Sequence, residues 1–213
     1  IENAICMHEE DYGILWKHND RRTGSVEVRR SRRLVVSFIS TVGNYEYGLF
    51  WYFHQDGSIH FEIKATGILN TSGLKPGEKP TYGTIVSPGV YAHYHQHIFN
   101  VRLDVAIDGE RNRVVEVDTV ALPVGPDNPH GNAFTIRENV LKTEQAAQRN
   151  VDFNAARFWK IESAEARNGL GQPTAYKLLP LSPVPIFSSP QSMVARRAAF
   201  MTRQLWVTAY HPD

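Results

Sequence analysis

The sequence predicts a mainly β protein, built as an antiparallel β-sandwich. Short runs of residues are rich in β-branched and aromatic side chains, several runs alternate apolar with polar residues, and clusters of glycine and proline separate them. The pair Asp56-Gly57 lies between two such runs, and this pair is typical of a tight hairpin turn. The pattern contains no internal repeat and no clear internal boundary. We therefore expect residues 1–213 to form part of one β-sandwich domain.

The hairpin around Asp56-Gly57 is the best-defined pair of predicted strands. Residues 47–54 are largely aromatic, and residues 58–65 alternate apolar with polar side chains on the way back. Residues 138–150 contain good helix formers and are predicted to be a helix, although their apolar face is weak. Further strands are predicted at residues 33–39, 95–104, 114–120, 157–161, 175–179 and 204–209.

Composition excludes several classes of protein. Hydrophobic residues make up 42% of the chain and charged residues 21%, which is enough apolar material for a core and too much for disorder. The formal net charge is only +1, which gives no reason to expect a nucleic acid or an anionic membrane as partner. No apolar run approaches the ~20 residues that a membrane helix needs. The single cysteine, Cys6, excludes an internal disulfide framework and a multi-cysteine zinc site.

Both ends of the sequence resemble cuts through a longer protein. The chain begins at Ile1 without an initiator methionine or a signal-like segment, and it stops in turn-like sequence directly after a strong strand pattern. The domain is therefore expected to be truncated at both ends. The lone cysteine favours a reducing compartment.

Basic residues are concentrated near the start of the chain, at residues 21–22 and 29–33. One interpretation is a patch that binds phosphate or an acidic partner. The other is a solvated hairpin edge, where positive charge prevents edge-to-edge pairing. We favour the second, because acidic residues elsewhere balance the charge.

The run His93-Tyr94-His95-Gln96-His97 could bind a metal ion. In a strand, residues two apart project to the same face, so all three histidines would point one way. An all-imidazole set without a nearby thiolate suits copper, zinc, iron or nickel, and copper binds most tightly of these. A polar histidine face without metal is the alternative, and two ligands alone do not complete a site.

A second motif, Thr41-Val42-Gly43-Asn44-Tyr45-Glu46-Tyr47, leads into the aromatic strand. Taken alone, Tyr45 would be an ordinary half-buried strand tyrosine. Together, however, this motif and His95-Gln96-His97, which is followed by Phe99, Arg102, Leu103 and Asp104, resemble the copper-containing primary-amine oxidases. The resemblance covers essentially the whole chain in order and is closest to bacterial and yeast-like members. It extends to residues 3–11, 33–37, 131–134, 176–178, 195–198 and 205–208.

The resemblance implies a quinone cofactor made from the chain itself. Tyr45 matches the tyrosine that becomes topaquinone in the presence of copper and dioxygen, and His95 and His97 match two of three copper ligands. Asn44 and Glu46 flank the quinone and are expected to restrict its ring orientation. Tyr47 resembles a tyrosine that hydrogen-bonds near the cofactor oxygen. His93 is expected to be a neighbour of the copper site and not a ligand.

The resemblance also implies sites away from the quinone. Asp104 resembles a ligand of a peripheral calcium-like site, together with the carbonyl of Val105, and oxygen ligands suit such a cation. Residues 8–33 resemble a hairpin arm that embraces a second subunit, so a homodimer is expected. Lys17 and His18 would then line the neighbour's substrate channel. Cytoplasm or peroxisome is the expected compartment.

Two elements of the family pattern are not found in this sequence. The family needs a third copper histidine downstream and an aspartate general base upstream of the quinone. His211 follows a segment that is a loop far from copper in the family, and the acidic residues Glu9, Glu10 and Asp11 do not match the base motif. The chain alone is therefore expected to bind copper weakly and to be inactive.

The implied reaction is the oxidative deamination of small primary amines. An amine forms a Schiff base with the quinone, the aspartate removes the α-proton, and hydrolysis releases an aldehyde. Dioxygen then reoxidises the cofactor, giving hydrogen peroxide and ammonia. A quinone is needed because ordinary side chains cannot accept two electrons.

The sequence allows two other interpretations. A cupin-like oxygenase could use the histidine run as an iron or zinc site, but it would need a glutamate shortly after the histidine pair, and none occurs before Glu110. A structural β-sandwich without enzymatic activity explains the composition equally well. It does not explain the joint presence of the two motifs.

Overall fold

The structure is a computed structural model, and it describes residues 2–181 and 183–210. His211 therefore lies outside the described residues. The chain is mainly β and antiparallel, which confirms the predicted class. It divides into two compact units, Ile1–His95 and Gln96–Asp213, a division that the sequence pattern does not indicate. In the described part of the chain, no helix is both long and apolar enough to cross a membrane.

The first unit contains two antiparallel sheets. Their strands are β1 (Cys6–Asn19), β2 (Val26–Val42), β3 (Tyr45–His54), β4 (Ile59–Gly67), β5 (Thr71–Gly73), β6 (Gly83–Ser87) and β7 (Val90–His93). One sheet has the order β1-β2-β3-β4, in which each strand pairs with the next one along the chain. The other has the order β5-β7-β6. The strands predicted at residues 33–39, 47–54 and 58–65 are confirmed within β2, β3 and β4.

The centre of the larger sheet is held by aromatic and aliphatic packing. Val35 on β2 and Tyr52 on β3 are directly paired and almost fully buried. The guanidinium of Arg33 lies between the rings of Tyr12 and Tyr52, at 3.9 and 3.8 Å from their centroids. Glu10 accepts two hydrogen bonds from the same guanidinium, at 3.0 and 2.7 Å. Cation–π contacts and a paired charge allow this arginine to pack over the sheet.

The basic run near the start of the chain lies on the β1–β2 hairpin, and its charges are neutralised locally. Four arginines there, Arg29, Arg30, Arg32 and Arg33, each lie within 2.5 to 2.7 Å of an acidic side chain on β1 or β2. Exposed pairs of this kind contribute little to stability, about 0 to 1 kcal/mol each. Because each of the four arginines has an acidic partner, the hairpin carries no concentrated positive patch. This supports the interpretation of the basic run as a solvated hairpin edge.

The elements of the second unit are β8 (Asn112–Ala121), β9 (Phe134–Val140), β10 (Gln148–Arg149), β11 (Phe158–Arg167), β12 (Pro173–Leu178), α1 (Met193–Arg197), a 3-10 helix (Ala199–Thr202) and β13 (Leu205–Trp206). Four of the strands form a sheet with the order β12-β11-β8-β9, and β10 and β13 form a two-stranded sheet. The core contains Val114, Leu141, Ala147, Trp159 and Ile161, and Trp159 has no exposed surface. The strands predicted at residues 114–120, 157–161 and 175–179 are found at nearly those positions.

The predicted helix at residues 138–150 is wrong. β9 continues to Val140 in an antiparallel ladder with β8, and only one helix-like turn around residues 143–147 follows before β10. The weak apolar face gives the physical reason, since a helix in a protein is stabilised mainly by packing one face. Leu141 and Ala147 are instead buried in the core from turn positions.

Two predicted strands also differ from the structure. Residues 95–104 have no strand structure, and no described strand pairs with them. The strand predicted at residues 204–209 is only two residues long, at Leu205–Trp206. The short helix α1 was not predicted; it begins after Ser192, whose side chain accepts a hydrogen bond from the Ala195 amide as an N-cap.

Two buried carboxylates of β8 are bound by arginines from neighbouring segments. Glu116 accepts two hydrogen bonds from Arg149, at 2.7 and 2.5 Å, and one from the indole of Trp159 at 3.2 Å. Asp118 accepts two from Arg157, at 2.7 and 2.9 Å. The side chains of Glu116 and Asp118 are 3% and 6% exposed. Removing one partner of such a pair leaves a buried charge without compensation, which costs more than the intact pair contributes.

Asp118→Asn is expected to lower the free energy of unfolding by about 3 kcal/mol at neutral pH, because Arg157 loses its bidentate partner. Hydrogen bonds from Arg157 and then Arg137 lower the pKa of Asp118 from 3.8, although burial opposes them. A lowered folded-state pKa stabilises the protein above about pH 4, and the stabilisation is lost as pH falls through the folded-state pKa. Urea unfolding measures the free energy of unfolding of wild type and of Asp118→Asn. The difference between the two should be constant from about pH 7 to 5 and should shrink below about pH 4.

The exposed Asp127 in the same unit provides the control. Asp127→Asn should change the free energy of unfolding by less than about 0.5 kcal/mol at every pH. An Asp118→Asn variant as stable as this control would contradict the structural role of the network.

Candidate active site

Tyr45 is the first residue of β3 and directly follows a two-residue turn from β2. Gly43 occupies the first central position of this turn with φ +62°, where a type II′ hairpin requires a glycine. Tyr45 pairs with Val42 on β2 and with Gly67 on β4. The carbonyl of Asn44 accepts a hydrogen bond of 2.7 Å from the Ile68 amide. The main chain of Tyr45 is therefore held from both sides.

The hydroxyl of Tyr45 lies against His95, 50 residues further along the chain. Its Oη is 3.0 Å from Nε2 of His95, and the two rings are 5.7 Å apart between centroids. Nδ1 of His95 is 2.9 Å from the carbonyl oxygen of His93. A carbonyl can only accept, so Nδ1 carries the proton in the neutral ring and Nε2 carries the lone pair. Tyr45 therefore donates to His95, whose Nε2 carries the lone pair of the ring.

The smaller sheet holds the carbonyl that orients His95. His93 ends β7, and its ring lies 4.6 Å from the ring of Tyr91 and 2.8 Å from the hydroxyl of Ser72, measured at Nε2. Ser72 is on β5, which pairs with β7. The side chain of His93 is thus occupied within the sheet, while its carbonyl faces His95. This arrangement distinguishes His93 from His95 in a way that their equal spacing in the sequence does not.

The residues around Tyr45 lie on different faces of β3. The ring of Tyr47 is 6.2 Å from that of Tyr45, as expected for residues two apart in a strand. Glu46 alternates to the other face, where its carboxylate accepts a hydrogen bond of 2.8 Å from the Thr41 hydroxyl. A pocket of about 300 Å³ opens beside the turn and is lined by Val42, Gly43, Asn44, Tyr45 and Asn70.

The segment that carries His97 is anchored in the second unit by the side chain of Gln96. The amide nitrogen of Gln96 donates to the Pro185 carbonyl at 3.0 Å, and its amide oxygen accepts from the Phe187 amide at 2.8 Å. The side chain of Gln96 therefore holds two backbone groups that lie two residues apart. His97 itself is exposed. No group of three or more histidine, cysteine or acidic side chains suited to a metal occurs in residues 2–181 and 183–210.

The remaining predicted site residues lie apart from Tyr45 in the sequence. Asp104 and Val105 are exposed and belong to the irregular stretch that follows His97. Lys17 and His18 are exposed near the end of the β1–β2 hairpin, paired with Val28 and Glu27, and the ring of His18 stacks on Trp16 at 5.7 Å.

Sequence reasoning missed four residues that contact or support this site. Ser72 and Gln96 act through side-chain hydrogen bonds to residues 21 and 89 or more positions away, and Asn70 lines the pocket. No local sequence pattern indicates contacts between residues so far apart in the chain. Gly67 had a usable signal, because a glycine at the end of an alternating strand often marks a close backbone approach.

The chain matches the family model described as copper amine oxidase, enzyme domain, over residues 1–213. The chain belongs to the copper amine oxidase family. This confirms the resemblance drawn from the two motifs, and it argues against both the cupin-like and the non-enzymatic alternatives.

Relatives of the copper amine oxidase family resemble the chain over nearly its whole length. It is 52% identical over 210 residues to a histamine oxidase of Arthrobacter globiformis, and 49% identical over 215 residues to a peroxisomal copper-containing diamine oxidase of Nicotiana tabacum. These matches cover 99% of this chain but only 31% and 27% of the two relatives. A solved copper-containing benzylamine oxidase from Hansenula polymorpha matches with a TM-score of 0.92 at 36% identity, covering 98% of this chain and 33% of that one. The chain thus spans about a third of the length of these amine oxidases.

Replacing Gln96 should loosen the backbone that it holds. In Gln96→Ala the Phe187 amide loses its acceptor, and we expect its hydrogen exchange to accelerate about fivefold, corresponding to a net hydrogen bond of about 1 kcal/mol. Hydrogen exchange followed by mass spectrometry of the peptide around Phe187 measures this change. Gln191→Ala, on the same stretch of chain, should leave that peptide unchanged. Equal exchange in wild type and Gln96→Ala would show that the Gln96 contacts do not form in solution.

Proposed function

We propose that the protein containing this chain oxidises small primary amines to aldehydes. One amine, one dioxygen and one water give one aldehyde, one ammonia and one hydrogen peroxide, so atoms and electrons balance. The observation that carries the proposal is the Tyr45 hydroxyl 3.0 Å from Nε2 of His95, in a chain of the copper amine oxidase family. The proposed cofactor formation depends on this arrangement, in which a phenol lies beside a nitrogen whose lone pair could bind copper.

The donor chemistry around Tyr45 fits copper. The lone pair of His95 Nε2 is directed at the Tyr45 hydroxyl, and Nδ1 is fixed by a backbone carbonyl, a common support for a metal-binding histidine. His97, two residues further along, is proposed as the second ligand. Imidazole nitrogens suit copper. His93 is not assigned as a ligand, because its ring is packed against Tyr91 and Ser72 within the smaller sheet and its part is to orient His95 through its carbonyl. The third histidine is proposed to come from a part of the protein beyond this chain.

Bound copper would supply the redox chemistry that joins dioxygen to the Tyr45 ring and makes topaquinone. The ring gains two oxygens and loses two hydrogens, and two dioxygen molecules per tyrosine leave one hydrogen peroxide as by-product. Dioxygen is the only oxidant this balance needs. The role of the chain is to present the ring carbon atoms beside the metal and to hold the oxygen of Tyr45 in place.

The residues next to Tyr45 are proposed to orient it. Asn44, anchored through its carbonyl to the Ile68 amide, fixes the main chain just before Tyr45. Glu46, bound to Thr41 across the strands, fixes the main chain just after it. Tyr47 is proposed to hydrogen-bond near the cofactor oxygen. Removal of the substrate's α-proton requires a general base, which we assign to an aspartate in a part of the protein beyond this chain.

Asp104 and the carbonyl of Val105 are proposed as ligands of a peripheral calcium-like site. Carboxylate and carbonyl oxygens are the ligands that hard divalent cations prefer. Both residues are exposed, so a cation could reach them.

The β1–β2 hairpin is proposed to pack against a second copy of the protein in a homodimer. Apolar side chains on the hairpin are exposed, including Ile14 at 61%, Leu15 at 54% and Trp16 at 47%. Such a surface is expected to be covered in an assembly. Lys17 and His18 next to them would then reach the substrate channel of the neighbour.

We propose the cytoplasm or the peroxisome as the compartment. The single cysteine fits a reducing environment, and the Nicotiana tabacum relative is named as peroxisomal.

Tyr45→Phe is expected to fold and to bind copper but to form no quinone. The phenyl ring keeps the packing while the oxygen that begins the oxidation is lost. Treatment of the copper-loaded protein with phenylhydrazine measures the result, since a quinone carbonyl gives a coloured adduct. Tyr176→Phe, on β12 of the second unit, is the matched control and should retain the adduct. A coloured adduct in Tyr45→Phe would contradict the assignment.

His95→Ala and His97→Ala should each weaken copper binding at least about 100-fold, because each removes a ligand. His93→Ala should change copper affinity by less than about fivefold, because the backbone carbonyl that orients His95 remains. Titration of the metal-free protein with copper against a competing chelator gives the three affinities. A large loss in His93→Ala with none in His95→Ala would reverse the assignment.

A further inference from the structure

Gly67 on β4 lies directly opposite Tyr45 and closer to its backbone than any residue with a side chain could. A Cβ atom on Gly67 would stand 2.5 Å from the Asn44 carbonyl oxygen, 2.8 Å from the Glu46 nitrogen and 2.9 Å from the Tyr45 Cα. All three are backbone atoms, so no rotation of a side chain relieves the overlap. A substitution at residue 67 can be accommodated only if the main chain around Tyr45 moves.

The conformation of Gly67 serves the same contact. Its φ is +106°, which L-residues with a side chain rarely adopt. This conformation turns the chain so that the next amide, that of Ile68, donates to the Asn44 carbonyl at 2.7 Å. Residues 67 and 68 thus contact the main chain around Tyr45 on one side, while β2 pairs with it on the other side. The distance between β4 and the Tyr45 backbone is set by the absence of a side chain.

We propose that Gly67 is a positioning residue for the oxidation of Tyr45, an inference that rests on the proposed quinone function. Only two torsion angles, χ1 and χ2, lie between the main chain of Tyr45 and its ring. A shift of the main chain therefore moves the hydroxyl relative to His95 Nε2. Reactions between held groups are sensitive to such shifts, and about 1 Å can cost about 100-fold in rate. A side chain at residue 67 therefore slows quinone formation without removing a metal ligand.

A second glycine of the same hairpin separates this effect from general strain. Gly57, in the turn at the other end of β3 and β4, has φ +84°, and a Cβ there would meet no atom within 4 Å. Gly57→Ala therefore introduces the same kind of backbone strain in the same hairpin without touching Tyr45. Of the two substitutions, only Gly67→Ala combines backbone strain with a steric overlap at the main chain of Tyr45.

The test compares wild type, Gly67→Ala and Gly57→Ala in the full-length protein, expressed free of copper and then given copper in air. Copper bound per chain, quinone by phenylhydrazine adduct, and the rate of quinone appearance are measured. We expect equal copper binding in all three, a rate within about twofold of wild type for Gly57→Ala, and a rate at least about tenfold lower for Gly67→Ala. A general structural role would lower copper binding and the quinone rate together, and would not lower the rate at full copper occupancy.

Each other outcome has a definite meaning. Equal quinone rates in Gly67→Ala and Gly57→Ala would overturn the role of Gly67 and leave the proposed function intact. No quinone in the wild type would overturn the proposed function itself. If Gly67→Ala does not fold, hydrogen exchange in the wild type decides: the Ile68 amide should exchange as slowly as the amides of the β3–β4 ladder. Exchange of Ile68 at the rate of an open loop would overturn the proposal.

Discussion

The hydrogen bond between the Tyr45 hydroxyl and His95 Nε2 is the contact on which the candidate site depends. It joins the start of β3 to the segment after β7, and its direction is set by the His93 carbonyl, which fixes the proton of His95 on Nδ1. With the opposite tautomer, Nε2 would carry a proton and could not present a lone pair to a metal. Backbone geometry at the end of β7 therefore determines both where the phenol points and which nitrogen could bind copper.

Several short local structures converge on this contact, and each has a simple physical origin. Gly43 permits the tight turn before Tyr45, Gly67 permits the close approach of β4, and Ser72 holds the histidine that orients His95. These residues carry no redox or acid–base chemistry of their own. They restrain the main chain beside Tyr45, so that in the proposed function binding of a metal need not reorganise the protein before reaction.

Much of the first unit could be predicted from the sequence. Its strands are rich in β-branched and aromatic residues or alternate apolar with polar residues, and tight turns join them. The aromatic run of β3 and the Asp56-Gly57 turn are examples. Residues 138–150 show the limit: their composition favours a helix, but ladder pairing with β8 and burial of Leu141 and Ala147 decide otherwise. The histidine run was expected on a strand, whereas Gln96 anchors it by side-chain hydrogen bonds. Its spacing also could not separate His93 from His95, since that difference arises from the distant Ser72.

The most direct test of the account is the mass of the peptide that contains Tyr45. The wild-type full-length protein would be prepared without copper, divided, and either kept metal-free or exposed to copper in air before digestion. The account predicts a gain of two oxygens less two hydrogens, located on Tyr45 by fragmentation, only in the copper-treated sample. An unmodified Tyr45 in protein with copper bound through His95 and His97 would contradict it, and would leave a copper-binding β protein that makes no quinone.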